Sequence, residues 1–153
     1  LGDPVSALAE MKRVTRPGGW VLALAEPDYG GRIDHPAELA RLGRMQEDAL
    51  SRQGADPCAG RKLRGWFNQI DLQQVRSGIL GAEWVGSMNP DAMKAEWEVV
   101  RSDLEGILSA EELESFQQID AGAWSKGERV LFVPTFYAVG QVIKERVPKN
   151  IAK

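Results

Sequence analysis

The stretch EMKRVTRPGGWVLALAEPDYGG, residues 10–31, decides how this chain is read. A charged helix end runs into the breaker Pro17-Gly18-Gly19, and six apolar residues, 20–25, follow without a polar interruption. Glu26, Asp28 and Tyr29 then mark the exit, and Gly30-Gly31 turns the chain. A strand with one wet face alternates apolar and polar residues, so an unbroken apolar run predicts a strand covered on both faces, as in a parallel α/β sheet.

Upstream, Asp3-Pro4 is an N-cap followed by proline at the first helical position, and Val5, Leu8 and Met11 give that helix one apolar face. Downstream, Pro36 is expected to open a second helix with Leu39, Leu42, Met45 and Leu50 near one stripe, closed by Gly54. Leu63, Trp66, Phe67 and Ile70 recur at i, i+3, i+4, i+7, the helical signature. Residues 75–80 read as a short strand. Asn89-Pro90-Asp91 caps a further helix with the stripe Met93, Trp97, Val100 and Leu104. Ser109 and Glu112 form a capping-box pattern ahead of Leu113, Phe116 and Ile119. Residues 130–138 read as a strand interrupted by Pro134, and residues 145–153 as a loose tail.

The 153 residues, 43% hydrophobic and 27% charged, suffice for one soluble globular domain with its own core. A net charge of −3 offers no broad basic field for nucleic acid, and no apolar run approaches the length of a membrane span. Cys58 is the one cysteine and His35 the one histidine, so a disulfide framework and a Cys/His metal site are both excluded. A single cysteine fits a reducing cytoplasm.

ALAEMKRVTRPGGWVLALAEPD, residues 7–28, resembles the segment of class I S-adenosylmethionine-dependent methyltransferases that enters the fifth strand of their sheet. Arg13-Val14, Pro17-Gly18-Gly19 and Glu26 stand at the matching places. GRKLRGWFNQIDLQQVRSGIL, residues 60–80, is similar to the following helix and sixth strand, with Gln69-Ile70-Asp71-Leu72 in place of the usual turn. FVPTFYAVGQVIK, residues 132–144, is similar to the seventh strand. The resemblance implies an α/β fold: the C-terminal portion of a Rossmann-like methyltransferase sheet, fifth to seventh strands, over residues 1–144, with a helical insertion at about 89–127. It also implies that the seventh strand runs antiparallel between the other two. The family's glycine-rich turn and ribose-binding acid have no counterpart here, since no G-x-G lies between a strand and a helix. The expectation is therefore a cofactor-binding front half outside this chain, with S-adenosylmethionine bound by the complete domain and not by this chain alone.

In open α/β sheets ligands bind beyond the carboxyl ends of the parallel strands. Glu26, Asp28 and Tyr29 leave the strand there and are candidate substrate-binding residues; an ordinary polar strand exit would carry the same residue types. His35 is a candidate base towards an acceptor hydroxyl or amine, or an exposed capping residue ahead of Pro36. Trp66, Phe67 and Trp97 fall at core spacing, while Trp84 and Trp124 could line an apolar pocket. Arg41, Arg44, Arg52, Arg61, Lys62 and Arg64 make a basic cluster that a solvated helix face explains best, ahead of an anionic acceptor or partner.

Two functions follow. One is part of a methyltransferase acting on a small-molecule acceptor. The other is a non-catalytic, methyltransferase-like module for dimerisation or partner binding. Residues 20–25 form a strand expected to have one open edge, which natural proteins rarely leave bare. That predicts either a homo-oligomer or a requirement for the missing half.

Overall fold

A computed structural model describes residues 2–83 and 89–143; Trp84 and the tail at 145–153 lie outside the described residues. The fold is α/β, with two small sheets and five helices among those residues. The three-stranded sheet contains β1 (Trp20–Pro27), β3 (Gln73–Leu80) and β5 (Thr135–Gln141), in the order β1-β5-β3. β5 is antiparallel to both neighbours, so β1 and β3 run the same way, and Pro27 and Leu80 both lie level with Thr135. The carboxyl ends of β1 and β3 therefore share one end of the sheet. No other described strand pairs with β1, whose outer edge is free.

Helices α1 (Pro4–Val14) and α3 (Ala59–Gln69) cover one face of this sheet. Asp3 caps α1 by accepting from the Ser6 amide, and Lys12 near its end donates to the Ile70 carbonyl at 2.6 Å. Leu8, Leu63, Phe67, Ile70 and Leu72 pack there against Val21 and Ala138. Trp66 packs against the same core, as its spacing predicts.

The other face of β1 differs from expectation. Trp20, Leu22 and Leu24 are 40%, 47% and 65% exposed, while Val21 is 2% exposed. The run is apolar on both sides, but α1 and α3 both pack on the Val21 side. Arg76 extends over Trp20, 6.0 Å from its ring centroid, and partly covers this open face.

The remaining elements make a second body, the cap. It contains β2 (Ile33–His35), α2 (Leu39–Arg52), α4 (Pro90–Asp103), α5 (Ala110–Lys126) and β4 (Val130–Phe132). Its helices enclose a separate apolar cluster of Leu42, Ala49, Trp97, Val100 and Leu104. The expected Asn89 cap and the Ser109/Glu112 capping box are both formed, and Gly127 ends α5 at φ +69°.

Two readings at the cap are corrected. Pro36 does not open a helix: α2 begins at Leu39, and His35 lies in β2. The strand expected over residues 130–138 is broken at Pro134 as predicted, but its halves join different sheets. β4 pairs with β2, and β5 enters the larger sheet.

Buried charge ties the cap together. Arg32 pairs with Asp34 at 2.7 Å, Arg129 with Asp34 at 2.8 Å and with Asp120 at 2.5 Å, and all four side chains are at most 8% exposed. Asp120 also accepts from the Trp97 indole at 3.0 Å, and Gln46 links Arg32 to Asp103. Removing Arg129 leaves buried Asp120 with no cation, only the Trp97 indole, and leaves Asp34 with Arg32 alone. Arg129→Ala should therefore lower stability by roughly 3–5 kcal/mol in urea unfolding. A loss below about 1 kcal/mol, the range of an exposed pair, would contradict this role.

Candidate functional site

The site is built at the exit of β1. The register between β1 and β5 slips between Ala23 and Glu26, and Ala25 sits at φ +62°, a backbone region that a residue with a Cβ rarely adopts. A bulge of this kind re-aims the side chains that follow it. Pro27 ends the strand, and a single 3-10 turn, Tyr29–Gly31, leads to β2.

The structure sends the four sequence candidates in different directions. Glu26 is half-buried and lines a groove of ≈ 450 Å³ between α1, α3 and the edge of β1. Its walls are mainly apolar, from Leu8, Met11, Ala23, Leu63 and Trp66, and Asp56 also lines it.

Asp28 is 1% exposed, and both its oxygens are taken by Arg61. The Arg61 side chain donates to Oδ2 at 2.7 Å and to Oδ1 at 2.5 Å, and its backbone amide donates to Oδ2 at 3.1 Å. Burial alone would push this carboxyl up. The hydrogen bonds and charge of Arg61, with the Gly31 amide, outweigh burial and hold it below the usual carboxylate range.

Tyr29 turns towards the cap. Burial, followed by the nearby carboxylates of Asp103 and Glu96, raises its hydroxyl above the ordinary tyrosine value, against an opposing pull from Arg32. His35 has an exposed side chain on β2, and its backbone carbonyl accepts from Arg129 at 3.2 Å. It is not a helix cap.

The basic cluster also divides. Arg61 and Lys62 pair with Asp28 and Asp56, whereas Arg41, Arg44, Arg52 and Arg64 are exposed along α2 and α3. Phe67 and Trp97 are buried core residues, and Trp124 is half-buried. Cys58 is half-buried, with Sγ 3.9 Å from Glu47 Oε1.

No cradle for a nucleoside donor is made by this turn. A Cβ on Gly30 would lie 2.6 Å from Cys58 Sγ, and one on Gly31 would lie 3.0 Å from Pro134 Cγ. The space that glycine opens is filled by the protein itself. Asp28, beside the turn, is 1% exposed and paired with Arg61 through both oxygens, so it does not face a ribose hydroxyl. Among the described residues, no group of three or more His, Cys, Asp or Glu side chains could hold a metal ion, and no helix is long and apolar enough to cross a membrane.

No family model matches the chain. Its sequence is 42% identical over 80 residues, 52% of the chain, to an uncharacterized methyltransferase of Schizosaccharomyces pombe. This chain is related to a methyltransferase. The match spans 28% of the fission-yeast protein, so the chain corresponds to little more than a quarter of that relative's length.

Sequence reasoning missed the partners of these residues. Nothing local joins Asp28 to Arg61, which lies 33 positions away. The Arg32–Asp34–Arg129–Asp120 network had a faint signal: Arg32-Ile33-Asp34-His35 alternates polar and apolar residues, which is strand-like, and Arg129 stands directly before the apolar residues of β4.

The Asp28 shift has a pH signature. Its carboxyl is lower in the folded protein than in the unfolded chain, so the stabilisation is complete above the unfolded value of about 4. It is lost as pH falls through the folded value. Asp28→Asn should therefore flatten the stability profile below about pH 4 while remaining less stable than the parent at pH 7. Urea midpoints measured from pH 2 to 7 check this, and parallel profiles for the two proteins would contradict it.

Proposed function

We propose that this chain is part of an S-adenosylmethionine-dependent methyltransferase domain that transfers a methyl group to a small-molecule acceptor. In this reading β1, β3 and β5 are the fifth, sixth and seventh strands of a Rossmann-like sheet. The observation that carries it is the order β1-β5-β3 with an antiparallel central strand, the arrangement the sequence resemblance implies. The related methyltransferase supports the same class of chemistry.

The donor, when bound by the complete domain, supplies an electrophilic methyl group; the Tyr29–Gly31 turn and the paired carboxylate of Asp28 do not fit a donor site. Their part is to shape the acceptor end. Near the end of β1, Glu26 supplies a carboxylate beside apolar walls, and past it Tyr29 supplies a hydroxyl beside Asp103 and Glu96. Acids and an aromatic ring suit an acceptor site that must tolerate the positive charge of a sulfonium donor. Asp28 acts through Arg61 as a positioning residue, and His35 stands at the cap's outer strand. The setting is cytoplasmic, with neither nucleic acid nor membrane as a partner.

Calorimetric titration of the chain with S-adenosylmethionine should give no measurable heat. Micromolar affinity would overturn the assignment, since it would require a donor site within these residues. The genomic sequence upstream of Leu1 provides a second check: an in-frame strand, Gly-x-Gly turn and helix would support the enzyme reading.

A second reading, a dimerisation or partner-binding module, is favoured by the free edge of β1 beside exposed Trp20, Leu22 and Leu24. Such edges template pairing with another chain, and a two-fold dimer is the commonest closed solution for identical chains. Light scattering of the purified chain should then report a dimer, and Leu22→Lys a monomer. A well-behaved parent monomer would remove this reading.

A further inference from the structure

Three of the chain segments that connect the cap to the sheet body meet at one place. The Asp28 amide donates to the Pro134 carbonyl at 2.8 Å, and the Tyr29 amide donates to the Pro57 carbonyl at 2.8 Å. The exit of β1, the link from α2 to α3 and the link from β4 to β5 are thus bonded in series. Asp28 fastens this junction to α3 through Arg61, and Gly31 packs against Pro134. The fourth connection, from β3 to α4, runs through residues 84–88, outside the described residues.

On either side of the junction the two bodies are built differently. The sheet body has its own apolar core, from Leu8 to Val142. The cap has another, and no buried residue belongs to both. The ionic network of Arg32, Asp34, Arg129 and Asp120 joins elements of the cap to each other and none of them to the sheet body. Cap helix α2 packs on β2, α4, α5 and the 3-10 turn. Outside the junction, then, each body is held mainly by itself.

We propose that the cap is a rigid lid that turns about the Asp28–Pro57–Pro134 junction, closing over the carboxyl ends of β1 and β3. This deepens the methyltransferase reading, and rests on it only for what the lid encloses. The backbone change of a rotation can be confined to a few residues, because Gly30 and Gly31 lie in one connecting segment and Gly54, at φ +81°, lies in another. Hinges of this kind confine large dihedral changes to a few residues while the packed bodies move intact. Tyr29, on the cap side of the junction, would move with the lid, while Glu26 stays with the sheet.

Spin-label distance measurements test this without donor or acceptor, so the outcome is independent of whether methyl transfer is found. In a Cys58→Ser background, one label pair spans the bodies (Arg64→Cys with Glu111→Cys) and a second lies within the cap (Arg44→Cys with Glu111→Cys); all three positions are exposed. The cross-body distance distribution should be wider than the one within the cap. Arg61→Lys, which loosens the pin at Asp28, should widen the first further and leave the second unchanged. Equal widths in the parent would overturn the proposal, because the cap would be fixed. Widening within the cap on Arg61→Lys would also overturn it, because the cap would not be one body. If Arg61→Lys does not fold, the parent comparison still decides.

Discussion

Pro134 has no amide proton to give to a strand ladder, and the architecture follows from that missing donor. The chain leaves one sheet at Phe132 and enters another at Thr135. Its carbonyl remains available, and the amide of Asp28 uses it. A single residue thus ends the ribbon of the cap, begins the central strand of the larger sheet and anchors the turn beyond β1. An amide-bearing residue there could have continued one long strand, and the two bodies would have had no natural boundary.

The two bodies solve burial differently. The sheet body buries aliphatic and aromatic side chains on one face, the non-directional way to gain stability. The cap adds two arginines and two aspartates that are almost wholly removed from water. Buried ion pairs repay their desolvation only when every charge is met, and among the described residues no buried side-chain nitrogen or oxygen lacks a partner. Such a network fixes one arrangement of β2, β4 and α5 more sharply than an interchangeable apolar contact would.

Local patterns carried much of the fold. The Asp3, Asn89 and Ser109 caps, the stripes at Leu63–Phe67–Ile70 and Trp97–Val100–Leu104 and the break at Pro134 all express short-range geometry, which sequence spacing records directly. The open face of β1 was misread because six apolar residues state what a strand can bury, not which helices reach it. His35 was read as a capping residue because Pro36 reads as a first-turn proline; pairing with Val130, 95 positions on, made it a strand residue instead. The candidate site was the least legible part. Glu26, Asp28 and Tyr29 are neighbours in sequence, yet the bulge at Ala25 and the Arg61 ion pair send them into a groove, a junction and the cap respectively.

The position of β5 also sets an order of events during synthesis. Both β1 and β3 take their ladder bonds from β5, yet β5 is translated after them, separated from β1 by more than a hundred residues. As the ribosome delivers the chain, helices α1 and α3 can form early, but β1 and β3 lack β5, the ladder partner they share, until residue 141 has emerged. Contacts this distant in sequence are closed slowly. Until then the apolar residues 20–25 lack the ladder partner that β5 supplies, and an unpaired apolar strand is the kind of segment that associates with other chains.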